Sequence, residues 1–410
     1  MSDTIRTNQN SFYGLGIAPG LLQVITKLGF IEPTPIQFKA IPIAIEGKDI
    51  IGIAQTGTGK TIAFGVPLIQ RLASRKGRAL ILVPTRELAS QVNDALKKFT
   101  PTFSLDTAVI IGGESMGKQI NALRKNPRII IATPGRLIDF MGQRKVRLDD
   151  INILVLDEAD RMLDMGFAPQ IEKIIHLIPK DRQTMLFSAT MPMKIVNMAS
   201  THMKLPVRTE IAPTGTMAEG ISQEIFVVHN DYKAKLLDEL LKKYTGSVLL
   251  FTRTKRRASK VVRMIRASGN SAAEIHSDRS LAQRTEALNG FKFGKYRILV
   301  ATDIAARGID VKNIELVINF DLPDDPENYV HRIGRTGRAG KMGHAISLAT
   351  PDQGSDVKGI EKIIRKSIPL GSHPAIPKQS FIQSSQHSPT ASKQHPGRSM
   401  YYYSRRHKRK

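Results

Sequence analysis

Ala54-Gln55-Thr56-Gly57-Thr58-Gly59-Lys60-Thr61 lies between a short apolar run, Ile50-Ile51-Gly52-Ile53, and a helical pattern from Ile62 to Leu72. A strand, a Gly-rich loop and a helix in that order make the phosphate-binding loop of nucleotide hydrolases. Gly57 and Gly59 let backbone N–H groups turn inward around an anion, and the following helix aims its positive end at the same point. In this reading Lys60 reaches the β- and γ-phosphates and the Thr61 hydroxyl holds Mg²⁺. Ala54 stands where the general motif has Gly, which keeps that side chain small. The stretch predicts an NTP site.

Outward from the loop, apolar and β-branched runs at 50–53, 79–83, 107–111, 128–132, 152–156 and 184–187 alternate with helical stretches, including 86–99 and 136–142. Two short helices precede them, at 19–31 and 35–46, separated by the stiff turn Glu32-Pro33-Thr34-Pro35. Continuous apolar strands alternating with helices predict an α/β fold whose parallel sheet is covered on both faces. Residues 204–222, with two prolines, two glycines and no strong period, read as the connection to a second domain. There the alternation resumes, with strands at 224–228, 247–251, 271–275, 297–301, 315–319 and 343–348 and helices at 233–243, 255–267, 280–290 and 326–333. This half has no second GKT, so it is expected to lend residues to the first domain's site. From 371 to 410 the chain is Ser, Gln, His, Pro and Lys/Arg, a composition that predicts a disordered basic tail.

The 410 residues carry a net charge of +25 and contain no cysteine, which excludes disulfides and thiolate chemistry. Eight Lys and Arg lie in the tail, but residues 1–370 keep a net +17 without them. Such a surplus points to a polyanion. Nucleic acid is favoured over anionic lipid, because no basic amphipathic helix stands out. The start, MSDTIRTNQNSF, reads as no signal peptide, and no apolar run reaches the ~18 residues of a membrane span. A cytoplasmic monomer is expected.

Asn152-Ile153-Leu154-Val155-Leu156 runs into Asp157-Glu158-Ala159-Asp160. Carboxylates at the carboxyl end of a parallel strand stand where α/β proteins bind ligands. There Asp157 can take Mg²⁺ and Glu158 can polarise the attacking water.

With these residues the chain resembles the DEAD-box family of ATP-dependent RNA helicases, over residues 12–350 and with the motifs in the family's order. The resemblance implies two RecA-like domains in tandem: a Q-motif region at 10–38, an ATP-binding domain at 39–208, a flexible linker at 209–222 and a C-terminal helicase domain at 223–370. It implies ATP and Mg²⁺ as cofactors and RNA, as single strands and short duplexes, as partner. Phe12 and Gly29-Phe30-Ile31-Glu32-Pro33-Thr34-Pro35-Ile36-Gln37 look like the Q motif, with Gln37 on adenine and Phe30 packed on the base. Asp303, in Ala301-Thr302-Asp303, would bind the ribose. Ser188-Ala189-Thr190 looks like the coupling motif that bonds Asp160. In His331-Arg332-Ile333-Gly334-Arg335-Thr336-Gly337-Arg338, Arg335 and Arg338 would act as arginine fingers on the γ-phosphate. Pro84, Thr85, Arg86, Gly113, Thr133, Pro134, Arg136, Arg284 and Thr302 lie in segments similar to RNA-contacting loops, whose backbone contacts carry little base readout. Phe251-Thr252-Arg253-Thr254 and His276-Ser277-Asp278-Arg279 resemble two more, Ser277 standing where the family usually has Gly. Asp160 to Phe167 and the short tail are most like the bacterial RhlE group. Two other functions stay open here: an ATP-gated RNA clamp that does not usefully unwind, and a DNA-directed motor.

Overall fold

The structure is a computed structural model that describes residues 11–55, 57–211, 221–303, 311, 314–337 and 342–382. Its first sheet has the order β3-β4-β2-β5-β6-β1-β7, with every pairing parallel. The strands are β1 (Ile50–Ile53), β2 (Arg78–Leu82), β3 (Thr107–Ile110), β4 (Ile129–Ala132), β5 (Ile151–Asp157), β6 (Gln183–Ser188) and β7 (Val207–Glu210). Strands β1, β2, β4 and β6 are buried at every position, as expected when helices cover both faces. Gly52 is required within β1: a Cβ there would stand 2.6 Å from the Phe187 ring, which packs against Phe64 at 5.5 Å.

The helices of this domain used below are α1 (Pro19–Lys27), α2 (Pro35–Ile45), α3 (Lys60–Ser74), α4 (Arg86–Leu96), α5 (Met116–Arg124), α6 (Pro134–Gly142), α7 (Ala159–Asp164), α8 (Ala168–Leu177) and α9 (Met193–His202). The second sheet has the order β10-β11-β9-β12-β13-β8, again all parallel. It is built from β8 (Ile221–Val227), β9 (Val248–Phe251), β10 (Ala272–Ile275), β11 (Ile298–Ala301), β12 (Leu316–Asn319) and β13 (Gly343–Ala349). Helices α10 (Asn230–Lys243), α11 (Lys255–Ala267), α12 (Leu281–Lys292), α13 (Pro326–Ile333) and α14 (Gly354–Ile364) belong to it. Counted in chain order, this sheet repeats the first without its edge strand β7. The two domains are one design used twice, and strand ends of both meet at the site described below.

Two boundaries differ from the sequence reading. Val207–Glu210 falls in the stretch read as a connection, yet it pairs with β1 from Ile50↔Val207 to Ile53↔Glu210, and Ile211 N–H donates to the Ile53 carbonyl at 2.9 Å. The strand's four residues, flanked by Pro206 and Pro213, are too few to show a period. Likewise, residues 371–382 are laid on the second domain instead of beginning a disordered tail. Gly371 N–H donates to the Ile225 carbonyl at 2.7 Å and Ile382 N–H to the Pro351 carbonyl at 2.8 Å. Ile376 and Phe381 pack against the two sides of the domain core. Residues 383–410 lie outside the described residues. Among the described residues no helix is long and apolar enough to cross a membrane.

Candidate active site between two domains

Gly57 and Gly59 take φ of 86° and 89°, a left-handed region that costs other residues energy, and Gly59 caps α3. The loop is braced from α2. Thr34 Oγ1 donates to the Thr58 carbonyl at 2.6 Å, and Gln37 Nε2 donates to the Gly59 carbonyl at 3.1 Å. A Cβ on Gly59 would collide with that amide. Gln37 Oε1 accepts from Thr34 N–H at 2.9 Å. One N–H and one lone pair of the amide then remain, the pair that matches adenine N7 and N6. Lys60 is buried and donates Nζ to the Ala54 carbonyl at 2.9 Å. Thr61 follows at the head of α3, and Phe30 is 40 % exposed nearby in sequence, after α1. Gln55 and Thr58 are joined by a bond from Thr58 Oγ1 to the Gln55 carbonyl, 2.7 Å. Thr56 lies outside the described residues. Phe12, read with the Q motif, is instead a core residue packed with Leu15 and Ile17.

At the end of β5, Asp157, Glu158, Asp160 and Arg161 are all buried. Burial pushes the Asp157 carboxyl up to about 6, with Glu158 and Asp160 adding to the rise and Lys60 opposing it. Glu158 has φ 54° and ψ 50°, unusual for a residue with a side chain. The turn lets Arg161 reach back, and its Nη1 lies 2.7 Å from Glu158 Oε2. Burial would raise the Glu158 carboxyl, but Arg161, Lys60 and Arg335 together hold it below its ordinary range.

Asp160 is a hub. Its backbone N–H donates to Ser188 Oγ at 3.2 Å. Its Oδ2 accepts from the N–H groups of Ala189 at 3.0 Å and Thr190 at 2.8 Å and from Thr190 Oγ1 at 3.1 Å. Burial pushes the nearby His331 imidazole down to about 3, aided by Arg161 and Arg335. The Asp160 carboxyl, which burial alone would raise, lies below its ordinary range because His331, Lys60, Arg161 and the Thr190 N–H together outweigh that burial.

The second domain closes over this cluster with α13. Arg335 is 2 % exposed, bonds Nε to the His331 carbonyl at 3.2 Å and acts electrostatically on Glu158 of the other domain. Arg332, to which the sequence assigned no role, is the chief organiser here. Its Nε and Nη2 grip Asp303 at 2.6 and 2.7 Å, and its Nη1 reaches Asn319 Oδ1 at 3.1 Å and the Asp321 carbonyl at 2.6 Å. The guanidinium stands 5.0 Å from the Phe251 ring centroid. Asp303 thus presents a carboxylate fixed by a bidentate arginine, each oxygen keeping a lone pair. Arg161, another residue without an assigned role, shares a crevice with Asp303, His331, Arg332 and Arg335. Arg338 lies outside the described residues.

On the first domain Pro84, Thr85 and Arg86 begin α4, with Thr85 Oγ1 accepting from Leu88 N–H at 3.2 Å. The Arg86 guanidinium is seated over Gly112 and Gly113. A Cβ on Gly112 would stand 3.0 Å from its Nη2, and one on Gly113, φ 77°, would collide with Nη1. Thr133 and Pro134 open α6, and Arg136 Nη2 donates to the Glu114 carbonyl at 3.2 Å. Thr302 follows β11, its N–H 3.4 Å from the Ile275 carbonyl. Arg284, grouped by sequence with the RNA-contacting residues, is instead 2.9 Å from Glu87 of α4, across the domain boundary, and both are buried. Their approach is an ion pair without hydrogen-bond alignment, since Glu87 Oε2 accepts none.

This geometry has relatives. The DEAD/DEAH box helicase family profile matches residues 34–199, and that of the helicase conserved C-terminal domain matches residues 232–340. The chain is 42 % identical over 369 residues to the DEAD-box ATP-dependent RNA helicase CshA of Bacillus subtilis, covering 89 % of this chain and 75 % of that protein. The chain belongs to the DEAD-box RNA helicases. It is accordingly an ATP-dependent RNA helicase, an enzyme that hydrolyses ATP. The ATP-dependent rRNA helicase RRP3 of Debaryomyces hansenii is also 42 % identical over 369 residues, covering 89 % of this chain and 77 % of its own. Neither of these relatives carries the RhlE name. Among solved structures, S. cerevisiae Dbp5 bound to RNA and ADP BeF3 superposes with a TM-score of 0.81 at 31 % identity, covering 88 % of this chain and 95 % of that one. A DEAD box protein from Methanococcus jannaschii is 39 % identical over 88 % of this chain and 99 % of its own, yet reaches only 0.52. The better superposition is with the RNA- and nucleotide-bound protein, despite its lower identity.

Proposed function

We propose that this helicase binds ATP on its first domain, completes the hydrolytic site with Arg335 and Arg338 of its second, and uses that closure to separate short RNA duplexes locally. The observation that carries the reading is Arg335 of the second domain, buried in one crevice with Arg161, which pairs with Glu158 of the first. Gln37 offers its remaining N–H and lone pair to adenine, with Phe30 at the base, and the loop of Ala54, Gln55, Thr56, Gly57, Thr58 and Gly59 cradles phosphates. Lys60 leaves the Ala54 carbonyl for the phosphates, and Asp303, steadied by Arg332, takes the ribose. Thr61 and Asp157 suit Mg²⁺: their oxygens are hard ligands, and Asp157 is a buried carboxyl that lacks a full counter-charge. A bound Mg²⁺ would neutralise charge on the phosphates. Glu158, aligned by Arg161, polarises the attacking water and receives its proton. Arg335 and Arg338 stabilise charge that develops on the γ-phosphate.

Asp160 links the DEAD sequence to Ser188 and Thr190, so a change at the phosphates shifts the strand-end loop that follows β6. RNA lies across both domains on loops bearing Pro84, Thr85, Arg86, Gly113, Thr133, Pro134, Arg136 and Thr302, held by its sugar–phosphate backbone in a bent form that a duplex cannot adopt. Arg284 serves this path through Glu87, which it ties to the second domain. Contact through the backbone implies no sequence preference, and 2′-OH contacts would separate RNA from DNA. The test measures ATP hydrolysis and strand separation together on a short RNA duplex. Separation that needs ATP and is lost in Arg335→Ala supports the proposal. Robust RNA-stimulated hydrolysis without separation would leave a clamp, and equal stimulation by DNA would overturn the RNA preference.

A further inference from the structure

Helix α11 corrects the sequence reading that no basic amphipathic helix stands out: it buries an apolar face, carries cations on the other, and is built against its own dipole. Its first turn holds Lys255, Arg256 and Arg257 and no acidic residue, although cations there face the positive end of the helix. From Arg253 to Ala267 there is no Asp or Glu at all. Some of these cations have internal partners: Lys255 lies 2.8 Å from Asp278, Arg257 lies 3.3 Å from Asp321, and Arg266 donates to the Ala272 carbonyl at 2.9 and 2.8 Å. Arg256, Lys260 and Arg263 are exposed and have no carboxylate partner among the described residues. At about 100° per residue these three fall within an arc of roughly 60°, and they are spaced ~6 and ~4.5 Å along the axis. The buried side, Ala258, Val261, Val262 and Ile265, is directly opposite. The stripe therefore faces outward as a row, and the Lys255–Asp278 pair joins its start to the loop Ser277–Arg279, which resembles an RNA-contacting loop.

We propose that Arg256, Lys260 and Arg263 form an accessory track for the RNA backbone, one that holds the strand where it leaves the cleft over the second domain. The track rests on the RNA-helicase reading and extends it: the cleft supplies closure and chemistry, and α11 adds affinity for RNA longer than the cleft. Phosphates beside the first turn of α11 would also offset its surplus of positive charge. An acidic protein segment is the competing occupant, and it would leave RNA affinity untouched.

The test compares the full chain with Arg256→Gln/Lys260→Gln/Arg263→Gln in RNA-stimulated ATP hydrolysis. One single-stranded RNA just fills the cleft, and a second extends well beyond it. On the long RNA the variant should need about tenfold more RNA for half-maximal hydrolysis, and its log–log salt slope should fall by about 2, three contacts at ~0.7 each. On the short RNA the two proteins should match, and turnover at saturation should be equal throughout. Arg256→Lys/Lys260→Arg/Arg263→Lys should restore the long-RNA behaviour. An unchanged salt slope on long RNA would overturn the track, as would an equal loss on both lengths. Failure of either RNA to stimulate even the unaltered chain would instead sink the RNA-helicase reading.

Discussion

Glu158 shows how much of the site depends on a single backbone turn. Its left-handed conformation costs about 1–2 kcal/mol, and the return is a carboxylate aligned by Arg161 at 2.7 Å. Glu158→Gln should keep ATP and RNA binding but hydrolyse at least about 100-fold more slowly; normal turnover in a steady-state assay would remove the role given to the carboxylate. Arg161→Met tests the alignment. Breaking a buried pair costs about 3–5 kcal/mol, so urea unfolding at pH 7 should show a loss on that scale. The folded Glu158 pKa lies below its unfolded value, so the pair's stabilisation is present above about pH 4.3 and is lost as pH falls through the folded value. In the variant, burial without Arg161 raises that pKa, and the penalty is relieved as the group protonates. The gap between the two proteins should therefore narrow on acidification; a gap that widens would contradict the pairing. Glu158 and Asp160 were legible as carboxylates after an apolar strand. Arg161 was not, because only the turn at Glu158 brings a residue three positions on back to it, and Arg332 was hidden among arginines at a spacing of three, any of which could have been a surface group.

At the level of elements, parallel strands and the helices between them were readable because most strands hold a continuous apolar run, as in Ile50–Ile53, Ile129–Ala132 and Val248–Phe251. The edge strand β7 escaped notice because it is four residues long and alternates Val207 with Arg208 and Thr209 with Glu210. The loops that carry function hold their arginines through glycine. Gly113→Ala should displace Arg86 and strain the backbone at φ 77°, at a cost of about 1–2 kcal/mol. The expected result is weaker RNA stimulation with unchanged RNA-free ATP binding, measured by titrating RNA in an ATPase assay. Wild-type RNA dependence would show that Arg86 does not need its glycine seat. The Arg284–Glu87 pair was also out of reach of sequence, since the two residues are 197 positions apart on separate domains.

For the whole molecule, repetition of one strand order in two sheets was visible as a repeated strand–helix alternation, but the meeting of the two domains was not. The C-terminal boundary illustrates the difference. Ile376 and the pair Phe381-Ile382 are short apolar spots in a polar stretch, and the packing of Ile376 and Phe381 on the second domain becomes evident only in three dimensions. Deleting residues 383–410 removes seven Lys and Arg and no acid. It should flatten the salt dependence of RNA-stimulated hydrolysis by about 2–4 units and leave saturated turnover and thermal stability unchanged. Deleting from 371 should also lower stability, by about 1–3 kcal/mol, through the loss of that packing. Equal melting of both deletions would show that residues 371–382 contribute nothing to the fold.

The measurement that bears most directly on a site shared by two domains is ATP hydrolysis by full-length protein and by Arg335→Ala, each with and without saturating RNA. Arg335 comes from the second domain and is buried in one crevice with Arg161, the partner of Glu158 on the first. Its loss should cut RNA-stimulated turnover by about 100-fold or more, while ATP affinity without RNA stays close to that of the unaltered protein. Full RNA stimulation in Arg335→Ala would show that hydrolysis does not depend on Arg335, and would contradict completion of the site by that residue of the second domain.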